Sequence, residues 1–222
     1  MLGGPQHDIL TELGLVWLIR ELITVLPRGT IWWGLPCCIW VWTARGHTQR
    51  SRRSPWGDRS RDDVRSANRM VSIVTALFKL LILRDVYHVC EQPSSSIVWA
   101  YKPMRQHLFE RPRIGNVRLS GVHVWLGFWG HILTKGTHLV GIFPGLRKIK
   151  SKRTKRNPNS ASGQYGWVRG SIRKSGPRKG TFRIMGCKRP GASLRETGEY
   201  PMLFCEHMMA LIKSALRCRH SK

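Results

Sequence analysis

The chain has 222 residues, with 38 Lys and Arg against 12 Asp and Glu and a formal net charge of +26. That length allows one ordinary domain or two small ones with a core, although 41% apolar residues is below the roughly 45–50% of a typical globular domain. Twelve scattered carboxylates exclude a calcium-binding or otherwise acid-built site.

In chain order, the first predicted element is a helix over residues 9–26. Asp8 is its expected N-cap, and Ile9, Leu10, Leu13, Val16, Leu18, Ile19, Leu22, Ile23 and Leu26 are its apolar positions, until Pro27-Arg28-Gly29 stops it. Gly29–Ala44 follows without a charge, with Trp32, Trp33, Trp40 and Trp42 and with Pro36 at its middle. It is shorter than the ~20 residues of a spanning helix, so the expectation is that it lies in a membrane interface or packs on the first helix. Residues 61–84 give the clearest helix. Ser60 and Asp63 resemble a capping box, and Asp62 with Asp63 suits the positive end of the dipole. Val64, Ala67, Val71, Val74, Phe78 and Leu81 form one stripe, read as core or as a seam for a partner helix.

Short strands are expected between 114 and 186. Val122, Val124, Leu126 and Phe128 alternate with His123, Trp125 and Gly127, a period of two. Residues 146–164 read as a linker ending in a Pro/Asn/Ser/Gly-rich stretch. Beyond it, 165–169 and 181–185 are expected to pair around Ser175-Gly176-Pro177, and a helix is expected over 202–216. The fold class that emerges is α+β or largely irregular, with the basic segment partly disordered. It divides into a mainly helical, Trp-rich part (1–110), a Gly/aromatic strand-like segment (111–146), a basic segment (147–195) and a C-terminal helix (196–222).

Charge is distributed unevenly. Residues 111–195 hold 12 Arg, 8 Lys and no carboxylate, while 44–70 carry eight Arg against three Asp. Like charge at this density opposes compaction, and a polyanion would neutralise it. Nucleic acid is the favoured partner, and anionic membrane the alternative. The run Arg147, Lys148, Lys150, Lys152, Arg153, Lys155, Arg156, with Arg173, Lys174, Arg178 and Lys179 after it, is of the type that nuclear import receptors read. Trp167 and Phe182 are interleaved with these cations, and rings so placed can stack on exposed bases. No motif for sequence-specific readout occurs, so binding is expected to follow the backbone without sequence preference.

A positive region expected of a secretory signal is absent, with Asp8 and Glu12 in its place. Six irregularly spaced cysteines suit a reducing compartment, and the expected location is the nucleus, with membrane as alternative. Cys187, Cys205, His207, Cys218 and His220 have the chemistry of zinc ligands. Their spacing is unlike a familiar finger, because a Cys-X-His pair on a helix points to opposite faces. His123, His131 and His138 have no nearby carboxylate to orient them, and no phosphate-loop or dinucleotide fingerprint occurs. The reading is therefore of a non-enzyme without a cofactor, of undetermined oligomeric state. Arg52-Arg53-Ser54-Pro55 is a candidate phosphorylation site, where a phosphate would damp the local positive charge.

Ten Trp, 26 Arg and little agreement of propensity, patterning and charge outside 61–84 give the chain its character. In these respects and in length it is similar to the embryonic stem cell-related class of young open-reading-frame proteins. That resemblance implies a nuclear protein tied to stem-cell maintenance, without a catalytic activity.

Overall fold

A computed structural model of the chain describes residues 7–131, 135–149, 151, 168–172, 182–187 and 200–217. The fold is α+β. Among the described residues its α-helices are α1 (Glu12–Thr24), α2 (Arg45–Thr48), α3 (Asp62–Leu83), α4 (Lys102–Glu110) and α5 (Met202–Arg217). The strands are β1 (Thr30–Gly34), β2 (Tyr87–Pro93), β3 (Arg113–Ile114), β4 (Val117–Arg118), β5 (Ser120–Trp125), β6 (Gly136–Ile142), β7 (Val168–Ile172) and β8 (Phe182–Cys187). The chain divides into two compact units, one of Met1–Val124, Thr137–Lys150 and Ala210–Lys222, the other of Trp125–Gly136 and Ser151–Met209.

The first unit is built on a four-stranded sheet in the order β1-β2-β6-β5. β1 runs parallel to β2, in register from Thr30 opposite Tyr87 to Gly34 opposite Glu91. A parallel pair needs a long crossover, and α3 lies within it. β6 runs antiparallel to the other edge of β2, with His88 opposite Ile142 and Pro93 opposite Thr137. Every residue of β2 is buried, so its polar groups need partners inside. The Gln92 amide donates to the Leu35 carbonyl at 2.8 Å, the Ser96 hydroxyl donates to the Gln92 amide oxygen at 2.8 Å, and the Thr137 hydroxyl reaches the Glu91 carboxylate. Gly141 of β6 has no room for a side chain, since a Cβ there would sit 2.0 Å from the His88 carbonyl oxygen.

The α3 stripe read from the sequence is core. Val64, Val71, Val74, Phe78 and Leu81 are all buried, and most of them join Trp33, Trp40, Cys90, Tyr101 and Met104 in one cluster. α3 is also long and apolar enough to cross a membrane by composition alone. The helix ends differ from expectation. Asp8 does not cap α1. Its carbonyl accepts from the Thr11 backbone N–H, closing a turn, and the Thr11 hydroxyl then caps the helix by accepting from the Gly14 N–H at 3.0 Å. The box at α3 does not form either, because the Ser60 hydroxyl donates to Asp58 and Arg61 is the N-cap. Asp63 instead receives Arg61 at 3.2 Å and His47 at 2.8 Å, which holds its carboxyl down at about 2.

Two strands, β1 and β2, lie outside the stretch where strands were expected, and the part before residue 110 is therefore not purely helical. Thr30-Ile31-Trp32-Trp33 is β-branched and aromatic, the composition of a strand, and it pairs within the chain. β2 is buried on both faces and so shows no alternation. The expected linker also begins late. Leu146 and Ile149 are buried on either side of the exposed Arg147 and Lys148.

Arg50 is 1% exposed, and no carboxylate pairs with it among the described residues. Its guanidinium lies 3.7 Å over the Trp40 ring and donates to the carbonyls of Pro55 and of Val64, the latter at 3.3 Å. Burial lowers its pKa to about 10. The Arg50 contacts tie the 45–60 loop to the first turn of α3. The Trp40 and Trp56 rings meet Tyr101 edge-on at 5.3 and 5.0 Å.

Replacing Arg50 by Ala removes two hydrogen bonds and a cation–π contact. It should cost about 2–4 kcal/mol in urea unfolding, and Arg50→Lys should recover only part of that. A second prediction concerns His88, which stacks on Phe78 at 4.6 Å, and His107, 5.9 Å from His88. Burial and the His107 charge push His88 down to about 3, while burial lowers His107 against the opposing pull of Glu110. Both folded-state values lie below that of an unfolded histidine, so the unfolded chain binds the extra protons. Stability should be complete above about pH 6.5 and fall below it, by roughly 1.4 kcal/mol per pH unit from His88, with His107 adding to the fall until it is protonated in the folded state too. The variant His88→Phe should flatten the slope of the unfolding midpoint between pH 6.5 and 4.

Candidate nucleic-acid interface

The basic run opens on a short 3₁₀ turn, Leu146–Lys148, that follows β6. Pro144 and Gly145 reverse the chain, with Gly145 at φ 85°, and the Lys148 N–H closes onto the Gly145 carbonyl at 2.8 Å. Because Leu146 and Ile149 are buried, Arg147 and Lys148 point away from the core. The turn acts as an anchor, fixing the first two cations of the run while the chain leaves the sheet. Lys150, Lys152, Arg153, Lys155, Arg156, Trp167, Arg173, Lys174, Arg178 and Lys179 lie outside the described residues.

The expected strand pair exists as the antiparallel β7–β8, a few residues along from its sequence-based bounds. Phe182 stands opposite Ile172, Arg183 opposite Ser171 and Cys187 opposite Val168, with an irregularity at Arg169/Gly170. The backbone register thus brings Arg169, Phe182 and Arg183 onto one hairpin. β5 ends at Trp125, earlier than the alternation suggests. Leu126–Trp129 then coils into a 3₁₀ turn closed by Gly130 at φ 93°.

Of the possible zinc ligands, Cys187 ends β8 and Cys205 and His207 lie on α5, whereas Cys218 and His220 lie outside the described residues. The His207 ring packs on Trp129 with centroids 4.7 Å apart, within an aromatic group that also holds Phe204. Among the described residues no group of three or more His, Cys, Asp or Glu is arranged for a metal. His123 and His138 face each other across β5 and β6 at 5.0 Å, and burial lowers both. The Cys90 thiol is buried, and its pKa is pushed up by burial, which keeps it out of thiolate chemistry. Ser54 is exposed on a turn, where its carbonyl accepts from the Ser51 N–H at 3.0 Å.

One feature was not visible in the sequence. A cleft of about 330 Å³ in the first unit is lined by Arg28, Asp85, Tyr87, Asn116, Lys148 and Ser214, among others. It draws on five separate stretches of chain, which is why no local motif announces it. The Arg28 N–H donates to the Asp85 carbonyl at 2.5 Å, and the Tyr87 N–H donates to the Gly29 carbonyl at 2.8 Å, clamping two of those stretches together. Lys148 therefore belongs both to the basic run and to the cleft. Compared with protein-family models, characterised proteins and solved structures, the chain matches none.

Proposed function

We propose that the protein is a non-enzymatic nuclear protein that binds nucleic acid, without sequence preference, through residues 147–183. The carrying observation is charge without compensation. Residues 111–195 contain 20 cations and no acid, and the ion pairs found among the described residues all lie between His47 and Glu110. Several carboxylates of the first part of the chain are engaged locally, as in Arg65–Asp62 and the Lys79–Glu110 pair at 3.9 Å. A polyanion from outside the chain would neutralise the later cations. A phosphate backbone does so with a favourable release of counterions. Lys148, Lys150, Lys152, Arg153, Lys155 and Arg156 contact phosphates and double as the signal for a nuclear import receptor. Trp167 and Phe182 stack on bases. A role in stem-cell maintenance belongs to the same reading.

The membrane alternative would use residues 30–43 and with them 119–143 as anchors. Trp33 and Trp40 are buried inside the chain, which favours the nucleic-acid reading.

Fluorescence anisotropy with a labelled single-stranded 20-mer tests the proposal. About six phosphate contacts should give a slope near −4 in log affinity against log salt. Changing Lys152, Arg153, Lys155 and Arg156 to Ala should make it shallower by roughly 3 and exclude a fluorescent fusion from the nucleus. A flat salt response, or pelleting with anionic vesicles in preference to the oligonucleotide, would overturn it.

A further inference from the structure

The cleft beside Lys148 has the composition of a ligand site. Its volume of about 330 Å³ falls within the roughly 300–1,000 Å³ typical of small-molecule pockets. It carries two cations, Arg28 and Lys148, and one carboxylate, Asp85. Neither cation takes part in an ion pair among the described residues. Two charged donors approaching one concavity from different chain segments suit a doubly charged oxyanion, and a guanidinium can grip it by two parallel bonds.

The backbone singles out the same place. Eight described residues have left-handed φ, and four of them line this cleft: Arg28 at 63°, Asp85 at 58°, Gly115 at 53° and Gly145 at 85°. Arg28 and Asp85 bear side chains, for which such a conformation is strained. Strain of this kind persists where the surroundings hold it, and it gathers at binding sites. Here the clamp between the Arg28 N–H and the Asp85 carbonyl holds both strained residues at the rim.

The remaining walls define the rest of the ligand. Ile114, Val117 and Leu211 give apolar lining, Tyr87 adds an aromatic residue, and Asn116 and Ser214 supply neutral hydrogen-bonding groups. A bare phosphate would leave this volume unfilled. A planar base with a sugar would occupy it, with Asp85 accepting from a sugar hydroxyl or an exocyclic amine. We infer that the cleft binds a phosphate monoester of mononucleotide size, its phosphate held by Arg28 and Lys148. The inference goes beyond the nucleic-acid reading, because every group it uses except Lys148 lies outside residues 147–183. The ligand is either a free nucleotide or the 5′-phosphorylated end of a bound strand, both of which present the same doubly charged monoester.

Isothermal titration of the full-length protein with adenosine 5′-monophosphate, and separately with adenosine, tests it. The monophosphate should bind and adenosine should bind at least about tenfold more weakly, since the charged contacts are lost. Lys148→Gln should weaken the monophosphate by about tenfold. Arg28→Gly should do the same while preserving the turn, because glycine adopts the left-handed conformation without strain. Unchanged unfolding midpoints show that both variants fold. If Arg28→Gly does not fold, the exposed Lys148→Gln carries the test. Displacement of the monophosphate by a 5′-phosphorylated single-stranded dT 12-mer identifies the strand end as the source, and binding of both together identifies the free nucleotide. Monophosphate binding without any oligonucleotide binding upholds the cleft and removes the nucleic-acid reading. Equal affinity for adenosine and its monophosphate, no binding of the monophosphate, or indifference to Lys148→Gln overturns the inference.

Discussion

Strand β2 is the constraint on which the rest of the first unit depends. It is paired along both edges, parallel to β1 and antiparallel to β6, and covered on both faces. Because β6 lies against it with Gly141 pressed onto the His88 carbonyl, the turn that follows β6 is fixed in position. That turn presents Arg147 and Lys148. A change deep in the sheet would therefore move the start of the basic run, although no cation lies near Gly141.

The chain handles its excess of positive charge in two different ways. Inside, Arg50 is accommodated by the Trp40 ring and by backbone carbonyls, which solvate a guanidinium without a counter-charge. Such a buried cation is costly to strand, since truncating its surroundings leaves the charge unsolvated. Between residues 111 and 195 the chain has cations and no carboxylate. The first arrangement fixes a loop on α3, and the second leaves a stretch whose sequence carries no compensating charge.

The parts of the fold legible in the sequence are those governed by one periodicity over many residues. The α3 stripe from Val64 to Leu81, the α5 helix and the β7–β8 pair belong to this group. The helix caps were not legible, because Asp8 and Ser60 have local hydrogen-bonding choices that compete with capping. β2 escaped because a strand buried on both faces has no polar face to mark its period, and β1, an edge strand, because its residues read as part of the uncharged Trp-rich stretch. For the interface, the density of cations was plain in the sequence, whereas the burial of Leu146 and Ile149 that orients Arg147 and Lys148 was not. The cleft depends on contacts between stretches far apart in the chain, and no reading of neighbours in sequence reaches it.

The double pairing of β2 also has a consequence for biosynthesis. As the polypeptide leaves the ribosome, β1 can cover one edge of β2 at once, but the other edge waits for β6, which begins at Gly136. During that interval the nascent chain offers an open, largely apolar template to any extended segment nearby. The cationic stretch from Arg147 onward leaves the ribosome after the last strand of the sheet. The apolar part thus has the opportunity to fold before the segment most attracted to ribosomal RNA emerges.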